Sequence, residues 1–60
     1  MKKITDLKPG GLYRTLHDDI SFFLRKDDNG FYVFYSLTIG ESWNGLEVFF
    51  IDYKIEFEEI

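Results

Sequence analysis

The run PheTyrValPheTyrSerLeuThrIle, residues 31–39, is rich in aromatic and β-branched residues, which predicts a β-strand. A strand points successive side chains to opposite faces of its sheet, so Val33 and Tyr35 lie on one face and Tyr32 and Phe34 on the other. Both faces of this strand are therefore apolar. A chain of 60 residues can enclose only one small core, which raises the question of what covers the second face.

Turn-forming residues divide the rest of the chain into short segments, and Ala, the strongest helix former, is absent. Turns are predicted at 8–11, 27–30 and 40–45, and a single helical turn at 52–54. Strands are predicted at 11–16, 20–26, 31–39, 46–51 and 55–59. The pattern predicts one all-β domain spanning 1–60, either a small five-stranded SH3-like barrel or a strongly bent antiparallel meander. Closure into a barrel would hide the edges of these apolar strands.

The hairpin around AspAspAsnGly (27–30) predicts a register for the two central strands. A four-residue loop places Phe22 opposite Tyr35 and Leu24 opposite Val33, which pairs apolar side chains along one face. A three-residue loop would place Arg25 opposite Val33 and is less favourable. We expect the apolar face of the first register to be the core. Its predicted members, with those of the other strands, are Leu12, Ile20, Phe22, Leu24, Val33, Tyr35, Leu37, Val48, Phe50 and Phe57.

The opposite face then carries an aromatic group that we expect to be exposed. An exposed patch of large side chains typically marks an interaction site, and aromatic rings are common at binding hot spots. An alternative is that residues 1–8 fold over this face through Ile4 and Leu7. Trp43, in a predicted turn, is either a loop-tip anchor or a lid over the open end of the barrel. The predicted protein-binding residues are Phe23, Tyr32, Phe34, Trp43 and Phe49.

The inventory of reactive side chains is poor. There is one His, there is no Cys, and several of the acids lie in predicted turns, whereas catalysis needs groups positioned in a cleft. His17 beside Asp18 and Asp19 is typical of a solvated turn, and the AspAspAsnGly loop lacks the spaced acids of a calcium site. The sequence therefore predicts no catalytic site, no cofactor and no metal.

Charge is uneven along the chain, whose net charge is −4. Four basic residues lie within the first 14, whereas six acids follow residue 40 with only Lys54 among them. We expect Glu47, Glu56 and Glu58 to steer a basic partner, unless these acids serve only to keep an apolar chain in solution. The acidic balance predicts no affinity for nucleic acid, and no apolar run reaches the ~20 residues of a membrane span. Without a signal-like N-terminus, a cytoplasmic location is expected.

Three segments resemble known families. AspAspIleSerPhe (18–22) and SerLeuThrIleGlyGlu (36–41) resemble the RT-loop and distal-hairpin segments of eukaryotic SH3 domains. The interval between them is shorter here, and the paired Trp and Pro-containing groove are missing, so proline-peptide binding is not implied. The opening MetLysLysIleThrAspLeuLysProGlyGlyLeuTyrArg is similar to small phage or bacterial proteins with SH3-like barrels. That resemblance implies binding and inhibition of a host protein, and supplies no site residues.

The predicted function is therefore a non-enzymatic protein-binding module, of the phage type that occludes a functional surface of a host protein. Two alternatives stay open. Bases of single-stranded nucleic acid would stack on the rings beside Arg14 and Arg25. A homo-oligomer would instead be closed through the outer aromatic face.

Overall fold

A computed structural model describes all 60 residues. Its short 3₁₀ turns lie at Ile4–Asp6 and Leu16–Asp18. The other elements are β1 (Lys2–Lys3), β2 (Leu12–Arg14), β3 (Ile20–Lys26), β4 (Phe31–Ser36), β5 (Glu41–Leu46), α1 (Glu47–Asp52) and β6 (Glu56–Glu59).

All six strands form one antiparallel sheet in the order β1-β6-β2-β3-β4-β5. The all-β prediction is confirmed. The predicted closed barrel is wrong, because β1 and β5 do not pair and remain as the two edges. Strands β2 to β5 form a meander of consecutive hairpins, as in the alternative prediction, and β6 and β1 add to the other side of β2.

The last third of the chain differs from the prediction. The expected turn at 40–45 is strand β5, and the expected strand at 46–51 is helix α1. The tight turn falls earlier, at 37–40, where Gly40 adopts a φ of 73° and donates its N–H to the Ser36 carbonyl over 2.9 Å. That leaves Glu41–Leu46 free to pair along the whole of β4.

Helix α1 is held by its packing and by its C-terminus, since its residues are better strand formers than helix formers. Ile55 N–H donates to the Phe50 carbonyl and Lys54 N–H to the Ile51 carbonyl, over 2.9 and 3.1 Å. With Lys54 at a φ of 53°, these bonds form a Schellman motif. Phe50 reaches the core over Gly45, where any Cβ would lie 2.8 Å from its ring.

The register predicted for β3 and β4 is confirmed at Phe22–Tyr35 and at its neighbours. A bulge at Leu24 then shifts the pairing, so that Arg25 lies opposite Val33, the pair that the prediction had rejected. The choice of core face was wrong. The core consists of Ile4, Leu7, Tyr13, Phe23, Tyr32, Phe34, Phe50, Ile55 and Phe57.

Only Phe50 and Phe57 of the predicted core belong to it. The predicted core residues outside it are half-buried or exposed: Leu12, Ile20, Phe22, Leu24, Val33, Tyr35, Leu37 and Val48. The face with Phe23, Tyr32 and Phe34 is covered instead by Ile4 and Leu7, so the alternative in which residues 1–8 fold over it is confirmed. A continuous network of ring contacts stabilises this arrangement, because aromatic pairs contribute to stability beyond the area that they bury.

Candidate functional site

The outer face of the sheet, opposite the core, is apolar and half-open to solvent. Leu12 on β2 lies opposite Phe22 on β3, and Phe22 lies opposite Tyr35 on β4, so one apolar row crosses three strands. Tyr35 is 38% exposed, and Leu24 at the bulge is 40% exposed. The "outer face" is defined here by eight side chains: Leu12, Ile20, Phe22, Leu24, Phe31, Val33, Tyr35 and Leu46.

An antiparallel sheet with one solvated face normally alternates apolar and polar residues along its strands. Here the polar residues of this side of the sheet lie along the edge strand β5 and near the ends of β2 and β3. Ser42 and Asn44 lie along β5, Arg25 lies opposite Val33, and Arg14 on β2 forms an ion pair of 2.7 Å with Glu58. The second layer of the fold, which includes the first 3₁₀ turn and α1, packs on the core face. The outer face is therefore the one large apolar surface of the sheet that the chain leaves without a covering layer.

Three of the predicted binding residues lie inside the protein. Phe23, Tyr32 and Phe34 belong to the core, so the predicted outer aromatic patch is wrong and these rings are not available to a partner. The physical reason is the inverted choice of face described above. Six of the eight residues of the outer face had been predicted as core, all but Phe31 and Leu46. Both faces of residues 31–35 are apolar in the sequence, so the strand pairing alone does not determine which face is buried.

Trp43 and Phe49, the other two predicted binding residues, border a cleft at one end of the core. The Trp43 indole stacks on Phe34 with 4.2 Å between ring centroids and 8° between planes. Trp43 lies within β5, so it is neither at a loop tip nor over the open end of a barrel. Phe49 is 44% exposed and packs against Tyr53, with 5.0 Å between centroids. Trp43 is thus fixed on the core, and Phe49 is accessible.

The cleft has a volume of about 240 Å³, below the ~300–1,000 Å³ typical of ligand pockets, so it suits one large side chain better than a cofactor. The Thr15 hydroxyl is buried and has no hydrogen-bond partner. The lining residues are Thr15, Leu16, Asp19, Ile39, Trp43, Phe49, Phe50 and Ile55. Sequence reasoning missed Thr15, Leu16, Asp19 and Ile39 as members of one site, since the first three come from the turn at 15–19 and Ile39 from the turn at 37–40.

A buried polar network lies beside the cleft. Ser21 and Ser36 donate their hydroxyls to the two oxygens of the Asp19 carboxylate, each over 2.5 Å, and the Trp43 indole N–H donates to Ser21 over 3.0 Å. The Ile39 N–H donates to the Ser36 hydroxyl. Both serines are fully buried, and both serine hydroxyls are hydrogen-bonded. The network fixes Trp43 and the turn at 37–40.

The three predicted steering acids differ in their surroundings. Tyr32 donates its hydroxyl to Glu47 over 2.5 Å, and Lys26 lies 3.5 Å from the same carboxylate oxygen. The hydrogen bond from Tyr32 lowers the pKa of Glu47, while burial, with help from Glu47, raises the pKa of Tyr32 to about 12. Glu58 is paired with Arg14, whereas Glu56 has no ion pair. Only Glu56 is therefore free of an intramolecular partner.

Two further features lie outside the outer face and the cleft, namely an exposed turn and a second cavity. His17 and Asp18 lie in an exposed turn with φ values of 58° and 59°, and no three His, Cys, Asp or Glu side chains come together as a metal site. A cavity of about 380 Å³ lies between the first 3₁₀ turn and α1, with Lys3 and Lys54 at its rim and apolar walls from Ile4, Ile51 and Ile55. Neither lysine forms an ion pair.

No protein-family model, curated protein or solved structure matches this chain. None of its helices has the length and apolar character needed to cross a membrane. What the chain binds therefore has to be inferred from the shape and chemistry of its own surfaces.

Proposed function

We propose that the chain is a non-enzymatic protein-binding module and that its contact surface is the outer face of the sheet. The observation that carries the proposal is the apolar row Leu12–Phe22–Tyr35, which crosses three strands without a covering layer. Contiguous exposed apolar surface on a small monomer is typical of an interaction site. A second protein laid on this face would supply the missing layer.

The apolar area that the outer face can bury against a partner determines the affinity that we expect. Full burial of one large apolar side chain contributes about 1.5–3 kcal/mol. The side chains of the outer face are already half-buried, so five of them contribute about 4–7 kcal/mol on contact with a partner. A dissociation constant of 1 μM corresponds to about −8 kcal/mol. The outer face with a few hydrogen bonds at its border therefore supports micromolar binding.

Charge indicates the chemistry of the partner. Residues 27–53 contain no Lys or Arg, and the chain carries a net charge of −4. Arg14 is paired with Glu58, which leaves Arg25 as the one unpaired basic side chain beside the outer face. A protein with an apolar patch and a basic rim is the best complement. An inhibitor of the phage type, which the resemblance of residues 1–14 implies, would act through such a contact by occluding its host's surface.

Nucleic acid is a second candidate ligand, because Phe22, Phe31 and Tyr35 present rings on the outer face near Arg25. Bases stack on such rings without sequence preference. The net charge opposes it, since phosphate backbones are bound through several basic contacts. We therefore rank nucleic acid below a protein as the ligand of the outer face. Self-association through the outer face is the third outcome to test.

The test uses the double variant Phe22→Ser/Tyr35→Ser and a matched control, Val48→Ser/Tyr53→Ser, which changes exposed side chains of and beside α1. Proteins captured from a lysate of the native host are identified and purified, and their affinity for each variant is measured by calorimetry. The outer-face variant should lose at least about tenfold in affinity, or 1.4 kcal/mol, while the control keeps wild-type affinity. Wild-type affinity in the folded outer-face variant overturns the proposal.

Two further measurements separate the alternatives. Light scattering of the wild type and of Phe22→Ser/Tyr35→Ser detects self-association. If the outer face is a self-association surface, the wild type is an oligomer and the variant is a monomer. Fluorescence anisotropy with a labelled single-stranded oligonucleotide detects the nucleic-acid alternative. If the oligonucleotide binds in a salt-sensitive manner and Arg25→Ser weakens that binding, the ligand is nucleic acid rather than protein.

A further inference from the structure

The two edges of the sheet are built differently. Strand β1 is two residues long and both are Lys, which is a common way to keep an edge from pairing with another strand. Strand β5 at the other edge has six residues and no Lys, no Pro and no bulge in its register with β4. One edge is protected and the other is open.

The backbone groups at the open edge can be assigned. Leu37 N–H donates to the Ile20 carbonyl over 2.8 Å, and Phe31 C=O accepts from Asp27 N–H, which turns the odd-numbered residues of β4 toward β3. Backbone groups alternate between neighbours along a strand, so the even-numbered residues of β4 bond to β5. Their partners there are Glu41, Trp43 and Gly45.

The N–H groups of Ser42, Asn44 and Leu46 and the C=O groups of Ser42 and Asn44 therefore point away from the sheet. Leu46 is the N-cap of α1, so its C=O accepts the first hydrogen bond of the helix instead. No backbone hydrogen bond outside the helices and strands involves any residue of β5. The side chains of these three residues are exposed on the outer face. The edge thus presents a regular row of free donors and acceptors, bordered by apolar surface.

We propose that β5 is a strand-addition site, at which an extended segment of a partner protein with basic side chains continues the sheet. The proposal rests on the proposed function, because the added strand enlarges the outer face and places its own side chains next to it. Backbone hydrogen bonds would provide the attachment, and side chains the selectivity.

The charges around the edge determine the class of segment. Glu41 begins β5 and Glu47 follows it, and no basic residue lies between Lys26 and Lys54 in the chain. Between the two acids, the edge carries the uncharged residues Ser42, Trp43, Asn44, Gly45 and Leu46. Glu47 is already paired with Lys26, so Glu41 is the acid at this edge that has no ion pair. A segment with Lys or Arg facing Glu41 and apolar residues along the rest of β5 complements this edge.

A second copy of the chain complements the edge less well. In a symmetric antiparallel pair centred on Trp43 or Asn44, Glu41 of each copy comes within two positions of Glu47 of the other, at both ends of the pair. A second copy also brings no Lys or Arg to Glu41, because residues 41–47 contain none. A basic partner segment supplies the positive charge that a second copy lacks.

The probe is the peptide acetyl-Lys-Val-Lys-Val-Lys-Val-Lys-amide, and its control is the same peptide with every backbone nitrogen methylated. Both carry the same charges and side chains, but only the first can form a ladder. The plain peptide should bind to the full chain at least about tenfold more tightly than the methylated one. Equal affinities, or no binding of the plain peptide up to about 1 mM, overturn the proposal.

Asn44→Pro tests the same point on the protein. Pro removes an N–H that the sheet does not use and is tolerated on edge strands, so the fold should persist while the edge is blocked. Asn44→Thr keeps the N–H and changes only the side chain. Peptide affinity should fall at least about tenfold in the Pro variant and stay within about twofold in the Thr variant. The same affinity in the folded Pro variant as in the wild type overturns strand addition.

Amide hydrogen exchange of the wild type supplies a readout that does not depend on variants. The amides of Ser42, Asn44 and Leu46 should exchange fast in the free protein and slow at least about tenfold in the peptide complex. Unchanged exchange at these three amides in the complex overturns strand addition. It leaves the outer-face proposal standing, because Phe22→Ser/Tyr35→Ser tests that surface without altering the β5 backbone.

Discussion

The ring of Phe57 on β6 stacks on the ring of Phe34 on β4, with 5.8 Å between centroids and 5° between planes, although β2 and β3 lie between their strands. Neighbouring strands are about 4.8 Å apart, so β6 and β4 would lie about 14 Å apart in a flat sheet. The contact therefore requires a sheet that curls around its core. The curl lets a single open sheet enclose the aromatic core, and it leaves the opposite, apolar face toward solvent.

Phe34→Ala tests which face is the core. The ring is fully buried and contacts Phe23, Trp43, Phe50 and Phe57, so its removal should cost about 3–5 kcal/mol of the free energy of unfolding. The total free energy of unfolding of a small domain is about that large, so we expect circular dichroism to show that the variant is largely unfolded. The matched control is Phe22→Ala on the outer face, which should cost about 1–2 kcal/mol and stay folded.

Asp19→Asn tests the buried serine network. The amide is neutral and accepts through one oxygen only, so one serine hydroxyl loses its acceptor and the other keeps an uncharged one, which costs about 1.5–3 kcal/mol. The control Asp18→Asn makes the same chemical change at the neighbouring residue, which is exposed and forms no side-chain hydrogen bond. Urea unfolding should separate the two variants, and equal midpoints would mean that the network contributes nothing to stability.

This network explains why sequence reasoning found the register of β3 and β4 but chose the wrong face. The pairing of Ser21 with Ser36 follows from the hairpin, and two serines typically mark an outer face. Here Asp19 and Trp43 satisfy both hydroxyls, so that burial carries no penalty for unpaired polar groups. The partners come from a turn and from a strand 22 residues away, which local pattern does not connect.

Helix α1 was unpredictable for a related reason. Its residues ValPhePheIle favour a strand, and only the packing of Phe50 and the hydrogen bonds at its C-terminus make the helix. Gly45, predicted to lie in a turn, instead gives the Phe50 ring room above β5. Among the predicted binding residues, Trp43 and Phe49 border the cleft, but the sequence had placed Phe49 on a strand and Trp43 in a turn.

Lys54→Gly should stabilise the protein. Lys54 occupies the left-handed position of the Schellman motif with a φ of 53°, where Gly avoids the strain of a Cβ. We expect a gain of about 0.5–1 kcal/mol in the free energy of unfolding, measured by urea denaturation. Lys54→Ala removes the same charge without relieving the backbone, so it should bring no gain. A gain of equal size in both variants would assign the effect to charge.

The Tyr32–Glu47 hydrogen bond makes stability depend on pH at both ends of the scale. Burial, the hydrogen bond to Glu47 and its charge raise the pKa of Tyr32 from 10.0 to about 12. A tyrosine whose pKa is higher in the folded protein stabilises the fold fully below its unfolded value. That contribution is lost as pH rises from about 10 to about 12, because the unfolded chain releases the proton first.

Glu47 acts in the opposite direction. The hydrogen bond from Tyr32, and then Lys26, keep its pKa below the usual 4.5, so its contribution is present above that value and is lost as pH falls through the folded pKa. Tyr32→Phe should therefore lower stability at about pH 8 and flatten the dependence of the urea midpoint on pH in both windows. Tyr53→Phe removes a tyrosine that is 72% exposed and should leave both slopes as in the wild type. If Tyr32→Phe keeps the wild-type slope between about pH 10 and 12, the alkaline loss of stability does not come from this hydrogen bond.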